Sequence, residues 1–322
     1  MIKNRNILIT GGAGFIGSNL FEELVKYNNY ISVIDNFNEY YKGKEQQFDK
    51  LTEGLNGNQD FKLIKGDLLQ DTTYEQIEND IDIIFHLAAQ PGVRYSIENP
   101  TEISHNNITS TIKIFEYAIK KKISKVIYAS SSSVYGNPLY TPVNEEHPKN
   151  PISPYAVSKL TGEIYADYYY REYGLPVISH RFYTVYGPRG RPDMAIRKFF
   201  EKISHNEEIL IYGDGEQLRD FTYISDIING LILSSEERDC DGEIFNLGCS
   251  NPISVNQLVD KIYNIANKPK KVRYVGKKKG DVDITHSDIT KAKKILKYYP
   301  KIDIYEGLKK TYNWLIESTN KN

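Results

Sequence analysis

Two cysteines in 322 residues, Cys240 and Cys249, are too few for a disulfide framework or a cysteine-built metal centre. No apolar run approaches the ~20 residues of a membrane span. The N-terminus passes from Met1-Ile-Lys-Asn-Arg-Asn6 into a strand pattern without the apolar stretch of a leader. An excess of one charge is lacking too: 41 Lys and Arg against 42 Asp and Glu leave a net charge of −1, with no footprint for nucleic acid or an acidic membrane. The short lysine-rich runs at 268–271 and 277–279 read as solvated faces. Internal repeats and low-complexity linkers are also missing. These absences lead to the expectation of a soluble cytoplasmic protein without metal, nucleic-acid or membrane partners. Its length suffices for two domains or one large α/β unit.

What the chain does have is a pair of groups that can share one site. Ser153-Pro154-Tyr155-Ala-Val-Ser-Lys159 begins a helix, with Pro154 fixing its first turn. Tyr155 and Lys159 stand at i and i+4, on one helix face. A cation held near a phenol favours phenolate and brings a group that titrates near ~10 towards the range of a general base. Tyr-x-x-x-Lys alone recurs by chance in a chain with 26 tyrosines, so the surrounding pattern has to carry the reading.

That pattern starts with an apolar run, Asn6–Thr10, then Gly11-Gly-Ala-Gly14-Phe15-Ile16-Gly17, then helical periodicity to Lys26. Strand, glycine turn and helix are the context in which backbone N–H groups approach a pyrophosphate. A second strand, 30–34, ends at Asp35-Asn36, the spacing at which an acid accepts from an adenosine ribose 2′-hydroxyl, which favours NAD over NADP. The third strand, 61–65, leads to Asp67-Leu68, where the acid can bond the adenine amine or cap the next helix. A fourth strand, 81–87, runs into Ala88-Ala89, small residues that admit a cofactor, and to Arg94, placed to meet an anion. A helical region, 100–122, precedes a fifth strand, 125–129, which opens on Ser130–Ser133. The Tyr155 helix and a sixth strand, 175–182, follow. The expected fold is a Rossmann-like doubly wound parallel sheet with a smaller C-terminal lobe. The expected domains are an NAD-binding domain over 1–183, joined by about 220–249 through a helix at 224–234 and a strand at 242–247, and a nucleotide-sugar-binding domain over 184–322.

Taken together, Gly11-x-x-Gly14-x-x-Gly17, the serine run before Val134-Tyr135-Gly136, Tyr155-x-x-x-Lys159, Arg181-Phe-Tyr-Thr-Val-Tyr-Gly187 and Gly213-Asp-Gly-Glu-Gln-Leu-Arg-Asp220 resemble the extended short-chain dehydrogenases/reductases. Within them the chain is similar to the nucleotide-sugar epimerases. The resemblance implies NAD as cofactor and Tyr155 as the base that takes a sugar 4-hydroxyl proton. It also implies that Lys159 lowers the Tyr155 pKa and binds the nicotinamide ribose, and that Ser131 or its neighbour Ser132 bonds the reacting oxygen. Gly11, Gly14, Phe15, Ile16, Gly17, Asp35, Asn36, Asp67, Leu68, Leu87, Ala88, Ala89, Asn106 and Tyr183 carry over as NAD contacts. Arg219 and Asp281 carry over as contacts to a nucleoside diphosphate. Lys278 stands where relatives place an arginine, giving a point charge instead of a bidentate clamp. A homodimer joined through the helices at 100–122 and 155–173 is implied by analogy.

Two departures point to the sugar. Ser133 occupies the position at which the family's dehydratases and decarboxylases carry an acid, and Thr184 stands where epimerases of neutral sugars have asparagine. Thr184 with Pro188-Arg-Gly-Arg191-Pro-Asp-Met194 is similar to UDP-glucuronate 4-epimerases, as is 89–96. Arg191 with Thr184 can hold a C5 carboxylate. The expected reaction is 4-epimerisation of UDP-glucuronate to UDP-galacturonate. The alternatives are a UDP-glucose or UDP-N-acetylglucosamine 4-epimerase and, less in keeping with a retained Tyr and Lys, a non-catalytic NAD sensor.

Overall fold

Alternating short apolar runs and amphipathic helices fold into a single parallel sheet with helices on both faces. The computed structural model describes residues 2–55, 60–277 and 282–320. Strand β1 (Asn6–Thr10) runs through the glycine turn into helix α1 (Phe15–Leu24). Strand β2 (Tyr30–Asp35) is followed by α2 (Lys44–Thr52), and then come β3 (Phe61–Lys65) and β4 (Ile83–His86). Helix α3 (Ser110–Lys121) leads to β5 (Lys125–Ser131), α4 (Pro154–Tyr173) to β6 (Val177–Phe182), and α5 (Ala195–Ser204) and α6 (Ile224–Glu236) to β7 (Ile244–Leu247). The sheet order is β7-β6-β5-β4-β1-β2-β3 with every pairing parallel. The order reverses between β1 and β4, so a crevice opens at the carboxyl ends of these strands, where open α/β sheets bind ligands.

The strands inside the sheet are buried on both faces, which explains why their runs are largely apolar instead of alternating, whereas the edge strand β3 mixes lysines with apolar residues and ends exposed at Lys65. Ile7, Ile9, Ile31, Val33 and Phe85 face one helical layer, which includes α1 and α6. Leu8, Ile34, Ile84, Val126 and Val177 face the other, built on α3 and α4. Three two-stranded ribbons (Thr184–Tyr186 with Phe221–Tyr223, Leu218–Arg219 with Ile253–Ser254, and Ile209–Tyr212 with Val272–Val275) form the smaller lobe. It is completed by α7 (Val255–Ala266) and α8 (Ile304–Asn320).

The helical region at 100–122 is not one regular helix. Pro100–Ser104 passes through a π-helical segment, His105–Thr109, before α3 begins. The stretch after β4 forms a short helix, Val93–Glu98, and the polar stretch after β2 contains α2, elements that periodicity alone does not reveal. Helix α4 starts where its cap dictates: Ser153 Oγ accepts from Ala156 N–H at 3.2 Å with Pro154 in the first turn, and Gly174 ends it at φ +68°.

Candidate active site

The crevice is lined first by the glycine turn. Gly11 has φ +69°, and a Cβ there would lie 2.8 Å from the Ala88 backbone, so the turn and the β4 loop can be this close only with glycine. Helix α1 starts at Gly14 without a side-chain cap, and the early N–H groups of Phe15, Ile16 and Gly17 have no intrahelical acceptor. A thin turn and open donors at the positive end of a helix suit a pyrophosphate, which is the fit expected for a dinucleotide.

At the end of β2, Asp35 accepts from Ala13 N–H at 3.1 Å through Oδ2 and from Phe37 N–H at 2.9 Å through Oδ1. Burial raises its pKa, opposed by the nearby Lys44 ammonium and these N–H groups. Asn36 Nδ2 donates to Asp67 Oδ2 at 3.2 Å, and Asn36, Asp67, Leu68, Leu87, Ala88 and Ala89 line the same wall.

At the other end α4 presents Tyr155 and Lys159. The Lys159 Nζ donates to the Ala129 carbonyl at 2.7 Å, and burial depresses its pKa to about 7, partly offset by Glu163. For Tyr155 burial raises the pKa, while the Arg191 guanidinium and a hydrogen bond from Ser131 pull it down. The expected lowering therefore comes here from Arg191 and Ser131, because the cost of burying the phenolate dominates and Lys159 is directed at β5. Ser133 accounts for the role of Ser131: its N–H (3.2 Å) and its hydroxyl (2.9 Å) both donate to Ser131 Oγ. With both acceptor sites filled, the Ser131 proton is left for Tyr155 or for an oxygen beside it. Ser132 opens the short 3-10 turn to Tyr135, while Ser131 is the serine that pulls the Tyr155 pKa down.

Arg191 reaches the pocket from the loop after Thr184–Tyr186. Its Nε and Nη2 clasp Asp193 at 2.9 and 3.0 Å, and Asp193 Oδ2 also accepts from the Tyr40 hydroxyl at 3.2 Å. Against the cost of burial, this pairing holds the Asp193 carboxyl below the usual range. Among the described residues Nη1 of Arg191 has no partner, so the guanidinium offers one edge to the pocket it shares with Tyr155.

The structure does not gather every residue that the sequence singles out. Asn106 lines the pocket, and its neighbour Asn107 is the buried one, accepting from Gln90 N–H at 2.7 Å and donating to Ser158 Oγ at 3.0 Å. The side chain of Tyr183 packs behind the site with Val134, Tyr135 and Val143, while Phe182 lines the pocket. Arg94 is exposed and stacks on the Tyr212 ring at 5.5 Å, away from the crevice. Thr184 lines a small neighbouring cavity with Gly187, Gly190 and Met194. Arg219 is tied by Nη2 to the Val282 carbonyl at 2.6 Å in the smaller lobe. Lys278 and Asp281 lie outside the described residues. Asn38, Tyr40, Tyr41 and Lys44 also line the crevice, as does Gln90. Their one signal is the polar, tyrosine-rich stretch after β2, where Lys44 Nζ donates to Asn38 Oδ1 at 2.8 Å and Asn38 Nδ2 to Gln90 Oε1 at 2.7 Å.

Comparison with known proteins bears on this arrangement. The GDP-mannose 4,6-dehydratase family matches residues 8–311. A UDP-glucuronate 4-epimerase of Thermodesulfobacterium geofontis is 40% identical over 319 residues, 97% of this chain and 96% of that protein. Among solved structures, the Bacillus cereus UDP-glucuronic acid 4-epimerase in complex with UDP-glucuronic acid and NAD superposes with a TM-score of 0.90 at 34% identity, covering 97% of this chain and 99% of that one. A UDP-N-acetylglucosamine 4-epimerase from Methanobrevibacter ruminantium M1, in complex with UDP-N-acetylmuramic acid, gives 0.90 at 33% identity over 98% and 100%.

Proposed function

Because the chain belongs to the GDP-mannose 4,6-dehydratase family of extended short-chain dehydrogenases/reductases, we propose that it is an NAD-dependent nucleotide-sugar 4-epimerase acting on UDP-glucuronate. The product is UDP-galacturonate. The observation that carries the choice of sugar is the placement of Arg191, a cation fixed by Asp193, in the same pocket as Tyr155.

The glycine turn with the start of α1, Asp35 at the ribose, Asp67 at the base and Lys159 at the far end would hold NAD. Bound there, NAD would supply a reversible hydride acceptor for C4 of the sugar. Everything else is the work of the chain. Tyr155 removes the proton from the 4-hydroxyl and restores it at the end, and Ser131, polarised by Ser133, donates to the same oxygen. Arg191 binds the C5 carboxylate through its free edge. Once C4 is a ketone, that carboxylate is β to it and prone to leave as CO2. A charged, hydrogen-bonded site stabilises the carboxylate more than the less polar transition state for its loss. Ser133, a hydroxyl in place of an acid, provides no proton for further elimination. Arg219, Lys278 and Asp281 are assigned to the nucleoside diphosphate and Thr184 to the rim of the sugar site, whereas Arg94 stays on Tyr212.

In this reading 1–183 joined by about 220–249 is the cofactor-binding domain and 184–322 the substrate lobe, and the enzyme is a cytoplasmic homodimer. Exposed Val157, Ile164 and Tyr168 on α4 support the pairing of α3 and α4 with a second copy. Among the described residues no helix is long and apolar enough to cross a membrane, and no cluster suits a metal ion.

The likeness to a UDP-N-acetylglucosamine 4-epimerase favours a second reading, a neutral UDP-sugar as substrate. Measuring kcat/KM for UDP-glucuronate, UDP-glucose and UDP-N-acetylglucosamine decides between them. The first reading requires UDP-glucuronate to be preferred at least ~10-fold, as one charge-assisted hydrogen bond implies.

A further inference from the structure

Behind Tyr155 and Lys159 a third residue stands on the same face of α4, at i+8: Glu163, a carboxylate buried with 3% of its side chain exposed. Three consecutive residues of β5 meet these three turns of the helix. Ser131 acts on the Tyr155 phenol and lowers its pKa, the Ala129 carbonyl accepts from Lys159 Nζ at 2.7 Å, and Ser130 Oγ donates to Glu163 Oε1. Gly162 permits this closeness, since a Cβ there would lie 2.1 Å from the Tyr128 hydroxyl. From β6, Arg181 closes on Glu163 in a fork, Nε to Oε1 at 2.9 Å and Nη2 to Oε2 at 2.7 Å. Its Nη1 donates to the Tyr135 hydroxyl at 2.8 Å and the Glu145 carbonyl at 3.0 Å.

A buried ion pair is seldom worth more to stability than apolar residues of the same volume. The lattice of contacts around this one gives it another task. We propose that Glu163 is a positioning residue for Lys159: through Ser130 and Arg181 it locks the register of α4 on β5, and its negative charge one turn below keeps Lys159 in the ammonium form. The inference rests on the assignment of Tyr155 and Lys159 as the acting pair. The other groups facing Lys159 are the Tyr128 ring on β5, at 5.2 Å from Nζ, and His86 on β4, which burial and Lys159 keep neutral with a pKa near 3. Tyr155 on the helix itself, Arg181 on β6, and Tyr135 and Arg191 near the ends of the site complete the set. None of these but Glu163 supplies a negative charge to Lys159 near neutral pH.

The test uses Glu163→Gln, which keeps the size and part of the hydrogen bonding but removes the charge, and Ser130→Ala, which breaks the hydroxyl link and leaves the charge. Lys159 is titrated by NMR in protein labelled at the lysine ε-carbon, its signal assigned by loss in Lys159→Met. The titration is expected to move to lower pH in Glu163→Gln and to stay in place in Ser130→Ala. In NAD-loaded protein the pH profile of kcat narrows in Glu163→Gln because its alkaline limb, set by loss of the Lys159 proton, moves to lower pH while the acidic limb stays in place. Its optimum falls about 10-fold with KM unchanged, a part of what a general base contributes. A folded Glu163→Gln whose Lys159 titration and alkaline limb stand at the wild-type positions overturns the proposal. Should Glu163→Gln not fold, Glu163→Asp carries the test: the more distant charge must still lower the Lys159 titration, and an unmoved one overturns the proposal. If the wild type turns over no UDP-sugar, the functional reading fails while the titration still decides this inference. If Tyr155→Phe is inactive but Glu163→Gln behaves as wild type, this inference alone fails.

Discussion

Replacing Arg191 by alanine separates a sugar carboxylate from a sugar hydroxymethyl. Nε and Nη2 are spent on Asp193, at 2.9 and 3.0 Å, so a substrate carboxylate meets the Nη1 edge and not the full fork. A hydrogen bond to a charged group contributes about 1.5–3 kcal/mol, and 1.4 kcal/mol is tenfold, so kcat/KM for UDP-glucuronate is expected to fall roughly 10- to 100-fold. Arg191→Ala also leaves Asp193 without its counter-charge beside the carboxylate, which adds repulsion. The double variant Arg191→Ala/Asp193→Asn removes that repulsion and is expected to recover part of the loss. The assay is initial-rate chromatography of UDP-glucuronate and UDP-glucose with each variant; loss of the Arg191 charge also raises the Tyr155 pKa and slows both sugars alike, so the expected signature is a further loss of about 10-fold or more on UDP-glucuronate relative to UDP-glucose. Equal losses on both sugars, or an unaltered kcat/KM on UDP-glucuronate, refute the assignment of Arg191 to the carboxylate.

Tyr155→Phe is expected to lower kcat by ~10²- to 10⁴-fold with NAD still bound, checked by turnover and by NAD content. Ser133→Ala removes the hydroxyl that donates to Ser131 at 2.9 Å, and kcat should drop about 2- to 10-fold without a change in KM in the same assay. Lys159 links folding to pH. Its folded pKa, about 7, lies below the unfolded value near 10.5, so the unfolded chain binds the extra proton between those values. This group's penalty is therefore full below pH 7 and fades as pH rises. Lys159→Met should gain more stability over the wild type at pH 6 than at pH 9, by about 2–3 kcal/mol, in denaturant melts.

Strands, sheet class and the glycine turn were legible because they depend on local signals: apolar runs, and closely spaced glycines between a strand pattern and a helical periodicity. The Tyr155 and Lys159 face followed from helical spacing alone. Other parts of the pocket depend on what spacing does not carry. At the end of β6 one residue decides between Phe182, which lines the crevice, and Tyr183, which packs behind it, because successive side chains of an extended chain point to opposite sides. A π-helical segment alters the helical phase at Asn106 and Asn107. Tyr40 reaches Asp193 across 153 positions of chain, a contact only the tertiary fold creates. Two of the arginines read as anion-binding candidates differ for the same reason: Arg191 is drawn inward by Asp193, while Arg94 settles on Tyr212. The balance at Tyr155 was hidden as well, since desolvation depends on depth, which sequence does not express.

The most direct test of the account is to incubate the purified protein with UDP-glucuronate and resolve the products by chromatography, because a cofactor that ends as it began leaves no lasting absorbance change. The account predicts UDP-galacturonate accumulating to an equilibrium mixture, with no UDP-pentose. A UDP-pentose product would contradict the roles given to Arg191 and Ser133, and turnover of neutral UDP-sugars alone would contradict the proposed substrate.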